Sequence, residues 1–169
     1  MAATLPYEGP FLRLSADYFT DDFSRLFRAD YVALSGLVLD WVDSYDSKAC
    51  DWDRLKTILA PKLTVDYSSI GGPKHKKMAA EDFVAVISGP EMFGDASLGT
   101  QHLIGASKWE RVDENKVVGH HQMRSTSVRL TGADSGEGKV EADRRVVVMQ
   151  SYVKADGKWK LAGLKPMSR

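Results

Sequence analysis

A chain of 169 residues with 23 basic and 23 acidic side chains carries no net field that would draw it to nucleic acid or to an anionic membrane. Its apolar content, 43%, is that of a globular protein able to bury its own core as one domain spanning residues 1–169. The single cysteine, Cys50, excludes an internal disulfide, and no Cys/His spacing suits zinc. No apolar run approaches the length needed to span a bilayer, and Met1 to Pro10 lacks the basic-then-apolar layout of a secretion signal, so the expected compartment is the cytosol.

Residues 1–28 read as an arm: irregular through Pro6, Gly9 and Pro10, then a short amphipathic helix over 17–28 carrying Tyr18, Phe19, Phe23, Leu26 and Phe27. A clearer helix begins near Tyr31. Tyr31, Leu34, Val38, Trp41 and Tyr45 recur by threes and fours and so share one face. Asp51 is placed to cap a second helix that bears Trp52, Leu55, Ile58 and Leu59 and stops at Pro61. Leu63, Val65 and Tyr67 then alternate as one face of a strand. Lys74, Lys76 and Lys77 read as a solvated loop after Gly71-Gly72-Pro73. The next helix carries Phe83, Val86 and Ile87 and ends at Gly89-Pro90. Strands are expected over about 100–112, 116–130 and 140–154, with a Gly- and Asp-rich loop between the last two from Thr131 to Lys139. In the first of them Leu103, Gly105, Ser107 and Trp109 alternate against His102, Ile104 and Ala106. Asp156-Gly157 marks a two-residue turn into a final strand from Trp159 to Leu164. Helices followed by an antiparallel meander indicate an α+β fold.

The chemistry rests on which polar groups point inward. Tyr45 lies on the apolar stripe of its helix, Asp46 follows it, Tyr67 shares a strand face with Leu63 and Val65, and His102 opens a largely apolar strand. Together they suit proton transfer beside a carbonyl. A carboxylate on one imidazole nitrogen fixes the tautomer and raises the basicity of the other, and phenol hydroxyls stabilise an enolate. Taken singly, each has a plainer role: a strand histidine or core tyrosine is commonly structural, and Asp46 equally suits a cap or turn. His120 and His121 are adjacent on a strand and face opposite ways.

Five ordered blocks carry a resemblance: WVDSYDSKACDWDRL (41–55), ILAPKLTVDY (58–67), GDASLGTQHLIGASKW (94–109), VGHHQMR (118–124) and DGKWKLAGLKP (156–166). They are similar to the scytalone dehydratase family of fungal melanin biosynthesis. The resemblance implies a cone-shaped α+β barrel of the cystatin-like, nuclear-transport-factor type: a curved, mostly antiparallel sheet wrapped by helices. It also implies a homotrimer without metal or organic cofactor, and a reaction that removes water from a reduced hydroxynaphthalene through an enolate. The two family tyrosines fall on Tyr45 and Tyr67, which are expected to hold a water that polarises the substrate carbonyl. The family Asp–His pair falls on Asp46 and His102, with the histidine in the proton transfer.

The chain departs from the family at several points. Ser127 stands where the family has a second catalytic histidine. Val146 and Val148 stand where it has a serine and an asparagine that hold substrate hydroxyls. The family's C-terminal lid has no counterpart after Pro166, so Phe11 to Phe27 is expected to cover the mouth instead. Met92, Phe93 and Met123 are expected to line the pocket with Ser125. His121 shares strand parity with Met123, Ser125 and Ser127 and is a candidate deeper on the inner face. The reading is a dehydratase or dehydrating cyclase acting on a reduced, hydroxylated polycyclic polyketide in fungal secondary metabolism or pigment formation. Alternatives are an isomerase or a shape-driven, pericyclic cyclase in the same pocket, and a non-catalytic polyketide-binding protein.

Overall fold

A computed structural model describes residues 21–46, 50–131 and 138–168, with side chains described from Arg28 to Met167 within those spans. Of the segment Phe11 to Phe27, expected as a cover for the mouth, the part through residue 20 lies outside the described residues, as do 132–137 of the expected hairpin loop.

Helix α1 spans Asp21–Asp46 without a break, so the two helices read from the sequence are one. Leu34, Val38, Trp41 and Tyr45 are buried as their spacing predicts, joined by Val42, while Tyr31 stays 48% exposed with its ring edge against Trp109. Asp51 caps α2 (Trp52–Ile58) by accepting the Arg54 backbone N–H at 2.8 Å, and Leu55 and Ile58 enter the core. Arg54 then ties α2 to α1: its guanidinium donates to Asp40 at 2.5 Å and to Asp43 at 3.1 Å. Leu59 does not belong to α2. It opens strand β1 (Leu59–Asp66), and Pro61 sits within that strand, where the register with its parallel neighbour is irregular between Leu59 and Thr64. A proline is tolerated there because it breaks no regular ladder bond.

After a 3-10 turn (Ser68–Ile70) the chain forms β2 (Lys74–Ala79), a strand where the lysine-rich sequence predicts a solvated loop. β2 is an edge strand, and its exposed lysines discourage further pairing. Helix α3 (Ala80–Ile87) buries Phe83, Val84 and Ile87; Val86, expected on the apolar stripe, is 54% exposed. The long meander follows as β3 (Leu98–Asp113), β4 (Lys116–Leu130), β5 (Gly138–Ala155) and β6 (Lys158–Ser168). Asp156 and Gly157 turn β5 into β6 with φ of 50° and 74°, the paired positive values of a type I′ turn.

The six strands form one curved, mixed sheet in the order β2-β1-β6-β5-β4-β3. β1 and β6 run parallel and every other pair antiparallel. The three helices pack over its inner face, and the core between them gathers Leu55, Leu63, Phe83, Tyr152, Leu161 and Leu164. This is the α+β arrangement expected from the sequence.

One local feature redirects side chains. The β3–β4 register shifts between Ile104 and Ser107, which face Met123 and His121 respectively. β3 spends one residue more than β4 there, a bulge that reverses strand parity. Strict alternation would set Ser107 and Trp109 opposite His102 and Ile104. Instead Ser107 hydrogen-bonds the buried His121, and Trp109 packs edge-on to the same ring at 4.9 Å.

Candidate active site

The open end of the sheet and the C-terminal turn of α1 enclose a cavity of about 120 Å3. Its wall is mainly apolar: Trp41, Phe93, Met123, Val146, Val148 and Leu164, with Ile70 and Pro166. Its polar groups are Tyr45, Tyr67, His102, Ser125 and Arg144.

Tyr45 is carried on the buried stripe of α1. Its hydroxyl oxygen accepts the Trp41 indole N–H at 3.2 Å, and among the described residues its own proton has no acceptor. Asp46 is one residue on, about 100° around the helix and off the apolar stripe, where it meets β3. It accepts the His102 backbone N–H at 2.6 Å, His102 Nδ1–H at 2.7 Å and the Thr100 hydroxyl at 3.2 Å. A carboxylate at a helix C-terminus opposes the helix dipole, and these donors offset that cost. Burial raises the Asp46 pKa, but the hydrogen bonds from His102 and Thr100 outweigh it, so the carboxyl stays below its ordinary value. An ionised Asp46 makes Nδ1 the protonated nitrogen and leaves a lone pair on Nε2. Nε2 has no protein partner among the described residues. The imidazole itself is held among the rings of Trp41, Tyr45 and Phe93, with centroids 5.7–6.3 Å away.

Tyr67 follows the end of β1. Its backbone N–H donates to the Pro73 carbonyl at 3.0 Å and its own carbonyl accepts from Gly72 at 2.9 Å, which turns the ring into the cavity. Its hydroxyl has no partner among the described residues. Burial pushes the Tyr67 phenol up to about 12, and burial with the nearby Tyr67 raises Tyr45 well above its ordinary value. Both phenols are therefore neutral donors near neutral pH.

The four residues singled out for proton chemistry thus meet, three on the cavity wall and Asp46 behind His102. Of the expected substrate contacts, Phe93, Met123, Ser125, Val146 and Val148 line the cavity. Met92, Ser127 and His121 do not. Met92 is 43% exposed, and Ser127 sits a row further out, beside Thr100 and Ala142. His121 shares the inner face of β4 as its parity requires but is sealed in the core. It accepts or donates at Ser107 Oγ over 2.8 Å, lies 3.4 Å from the Tyr152 hydroxyl, and burial with the adjacent His120 lowers its pKa to about 4. It is a neutral core residue. Trp41, Ile70, Leu164, Pro166 and Arg144 are lining residues beyond those expected from the sequence. Two of them carry a usable signal: Trp41 shares the helix stripe of Tyr45, and Arg144 has the parity of Val146 and Val148 on β5. Among the described residues no group of three or more His, Cys, Asp or Glu gathers in a way that could hold a metal, and no helix is long and apolar enough to cross a membrane.

Residues 25–169 match the family model described as scytalone dehydratase. The chain belongs to the scytalone dehydratase family. It is 46% identical to scytalone dehydratase arp1 of Aspergillus fumigatus, over 83% of this chain and 82% of that one. It is 42% identical to a scytalone dehydratase of Pyricularia oryzae, over 82% and 79%. Among solved structures it superposes on an NTF2-like protein with a cystatin-like fold from Novosphingobium aromaticivorans, with a TM-score of 0.66 and 16% identity over 90% of this chain and 91% of that one. That likeness shows the shared cone fold. Family membership makes this scytalone dehydratase relative a hydro-lyase-type enzyme acting on a small molecule.

Proposed function

We propose that the enzyme dehydrates a reduced, hydroxylated polycyclic polyketide of fungal secondary or pigment metabolism, with His102 as the single proton carrier. The observation that carries this is the imidazole held by Asp46 through Nδ1, its Nε2 open to an apolar cavity that also presents the Tyr45 and Tyr67 hydroxyls. Nε2 takes the proton from the carbon beside the substrate carbonyl, and the electron pair moves onto the carbonyl oxygen. The two phenols stabilise that enolate, directly or through a water, and do so more strongly in an apolar wall than in solvent. The enolate then collapses to a carbon–carbon double bond as the β-hydroxyl leaves. That hydroxyl takes the proton back from the imidazolium, so one water departs and His102 returns to its neutral form. One base serves both transfers because Ser127, at the place of the family's second histidine, lies off the cavity wall.

The test is incubation with scytalone-like and anthraquinone-like reduced polyketides, read by mass for loss of one water. His102→Ala and Tyr67→Phe should each lower turnover by about tenfold or more, with circular dichroism unchanged. Full turnover in both folded variants removes the proposal. The apolar pair Val146 and Val148 favours a second reading, in which the same cavity orients a substrate for isomerisation or ring closure. A product of unchanged mass selects it.

A further inference from the structure

The cavity's polar lining is asymmetric in charge. Among the described residues it presents one permanent cation, Arg144, and no carboxylate, since Asp46 is screened behind His102. Arg54 is paired with Asp40 and Asp43, Arg111 with Asp30, Arg124 with Asp143, and Arg129 with Asp95 and Glu141, while Arg28 and Arg145, which have no ion pair among the described residues, lie off this cavity. Arg144 has no hydrogen bond or ion pair among the described residues.

Its position relative to the proposed base is set by strand register. His102 on β3 faces Ser125 on β4, and Ser125 faces Arg144 on β5. The three form one cross-strand row on the inner face, and all three line the cavity. Two inter-strand spacings separate the ends of the row, about 10 Å at the backbone. That is roughly the span of two or three fused six-membered rings. A planar ligand laid along the row with its reacting carbon at His102 brings its far edge to a guanidinium, with the Ser125 hydroxyl between.

Resting on the polycyclic reading of this site, we propose that the substrate carries a ring carboxylate and that Arg144, with Ser125, is the residue pair that recognises it. A guanidinium matches a carboxylate with two parallel N–H donors, and the match is directional as well as electrostatic. An apolar wall at Val146 and Val148 leaves the ring face without polar anchors, so the charged edge supplies the orientation. The side chain that selects substrate is thereby separated from the side chains that move protons.

The experiment uses the full chain and calorimetric titration with two probes that differ by one group, 2-naphthol and 3-hydroxy-2-naphthoate. Wild-type protein should bind the naphthoate more tightly, by about fivefold or more, the scale of a partly exposed ion pair. The preference should shrink as salt is raised. Arg144→Gln should bring the ratio of the two affinities to about one, and Arg144→Lys should keep part of it, since a lysine retains the charge and loses the fork. Equal wild-type affinities, or a ratio unchanged in Arg144→Gln, overturn the inference while a protein that still dehydrates a neutral polyketide keeps its proposed function. Failure of both probes to bind wild-type protein refutes the aromatic cavity and this inference together.

Discussion

Replacing Asp46 by Asn separates what the carboxylate does for the fold from what it does for the imidazole. The native group accepts from three donors: Oδ1 takes His102 Nδ1–H and the Thr100 hydroxyl, and Oδ2 takes the His102 backbone N–H. An amide keeps only one oxygen. If its NH2 takes the place of Oδ2, it faces a backbone N–H across a contact that measures 2.6 Å in the native protein, and two buried donors oppose each other. If it takes the place of Oδ1, it donates to Nδ1, and the imidazole must carry its proton on Nε2. The first arrangement leaves a backbone donor unsatisfied, at about 1–3 kcal/mol. The second avoids that cost by switching the tautomer, and so removes the lone pair that faces the cavity. The second should prevail. Asp46→Asn is therefore expected to unfold within about 1–3 kcal/mol of the wild type in urea, yet to lose at least about 100-fold in kcat/KM, the contribution of a positioned general base. Turnover is followed by mass for the loss of water, with the native state checked by circular dichroism. A folded variant within threefold of wild-type activity, roughly 0.6 kcal/mol in barrier, would refute the tautomer argument.

Two further outcomes follow from the core behind the site. The His121 pKa falls from 6.5 to about 4 because burial disfavours its charged form. The unfolded chain therefore takes up the proton first, and stability present above pH 6.5 is lost as pH falls toward about 4, by about 3 kcal/mol at 1.36 kcal/mol per unit. Urea denaturation across that window should show the loss, and His121→Gln should flatten it; an equally steep limb in the variant contradicts the assignment. Gly119→Ala should destabilise by about 1–3 kcal/mol, because a Cβ there falls 2.7 Å from His121 Cε1 and 2.9 Å from the Trp109 ring. A melting temperature unchanged by that substitution would show that the His121 box is looser than its contacts indicate.

Periodicity in the sequence reached the elements whose faces differ in polarity and missed those defined by hydrogen bonding alone. The Leu34–Tyr45 stripe, the Asp51 cap and the Asp156-Gly157 turn each carry a local chemical signal. β2 has no such signal, because Lys74 to Lys77 alternate nothing. The strand exists through its ladder to β1, where Lys74 pairs with Asp66 and His75 with Val65, and the irregular step beyond it is taken up by Lys77 at φ 59°. The bulge in β3 is silent for the same reason: an inserted residue leaves the composition of a strand unchanged while reversing every side chain beyond it. The cavity combines both cases. Tyr45 and Tyr67 follow from faces, but the Asp46–His102 bond joins residues 56 positions apart; residue chemistry offers the pairing beside plainer roles, and the family blocks select it. Arg144 shares its face legibly with Val146 and Val148, whereas its lack of a carboxylate depends on where Asp143, Asp95 and Glu141 spend theirs.

The helix explains why these residues are tied together. Trp41 and Tyr45 seat α1 in the core, and Arg54 holds Asp40 and Asp43 at its outer edge. With the stripe and the clamp both satisfied, residue 46 has one azimuth, the one facing the His102 amide and ring. A rotation of one residue, about 100°, would expose Tyr45 and withdraw Asp46 in the same movement. Changes at Tyr45 must therefore disturb packing and chemistry together. Asp46, half-buried and off the stripe, is where the two come apart, so the Asn variant there reads chemistry on a fold that the helix stripe still holds.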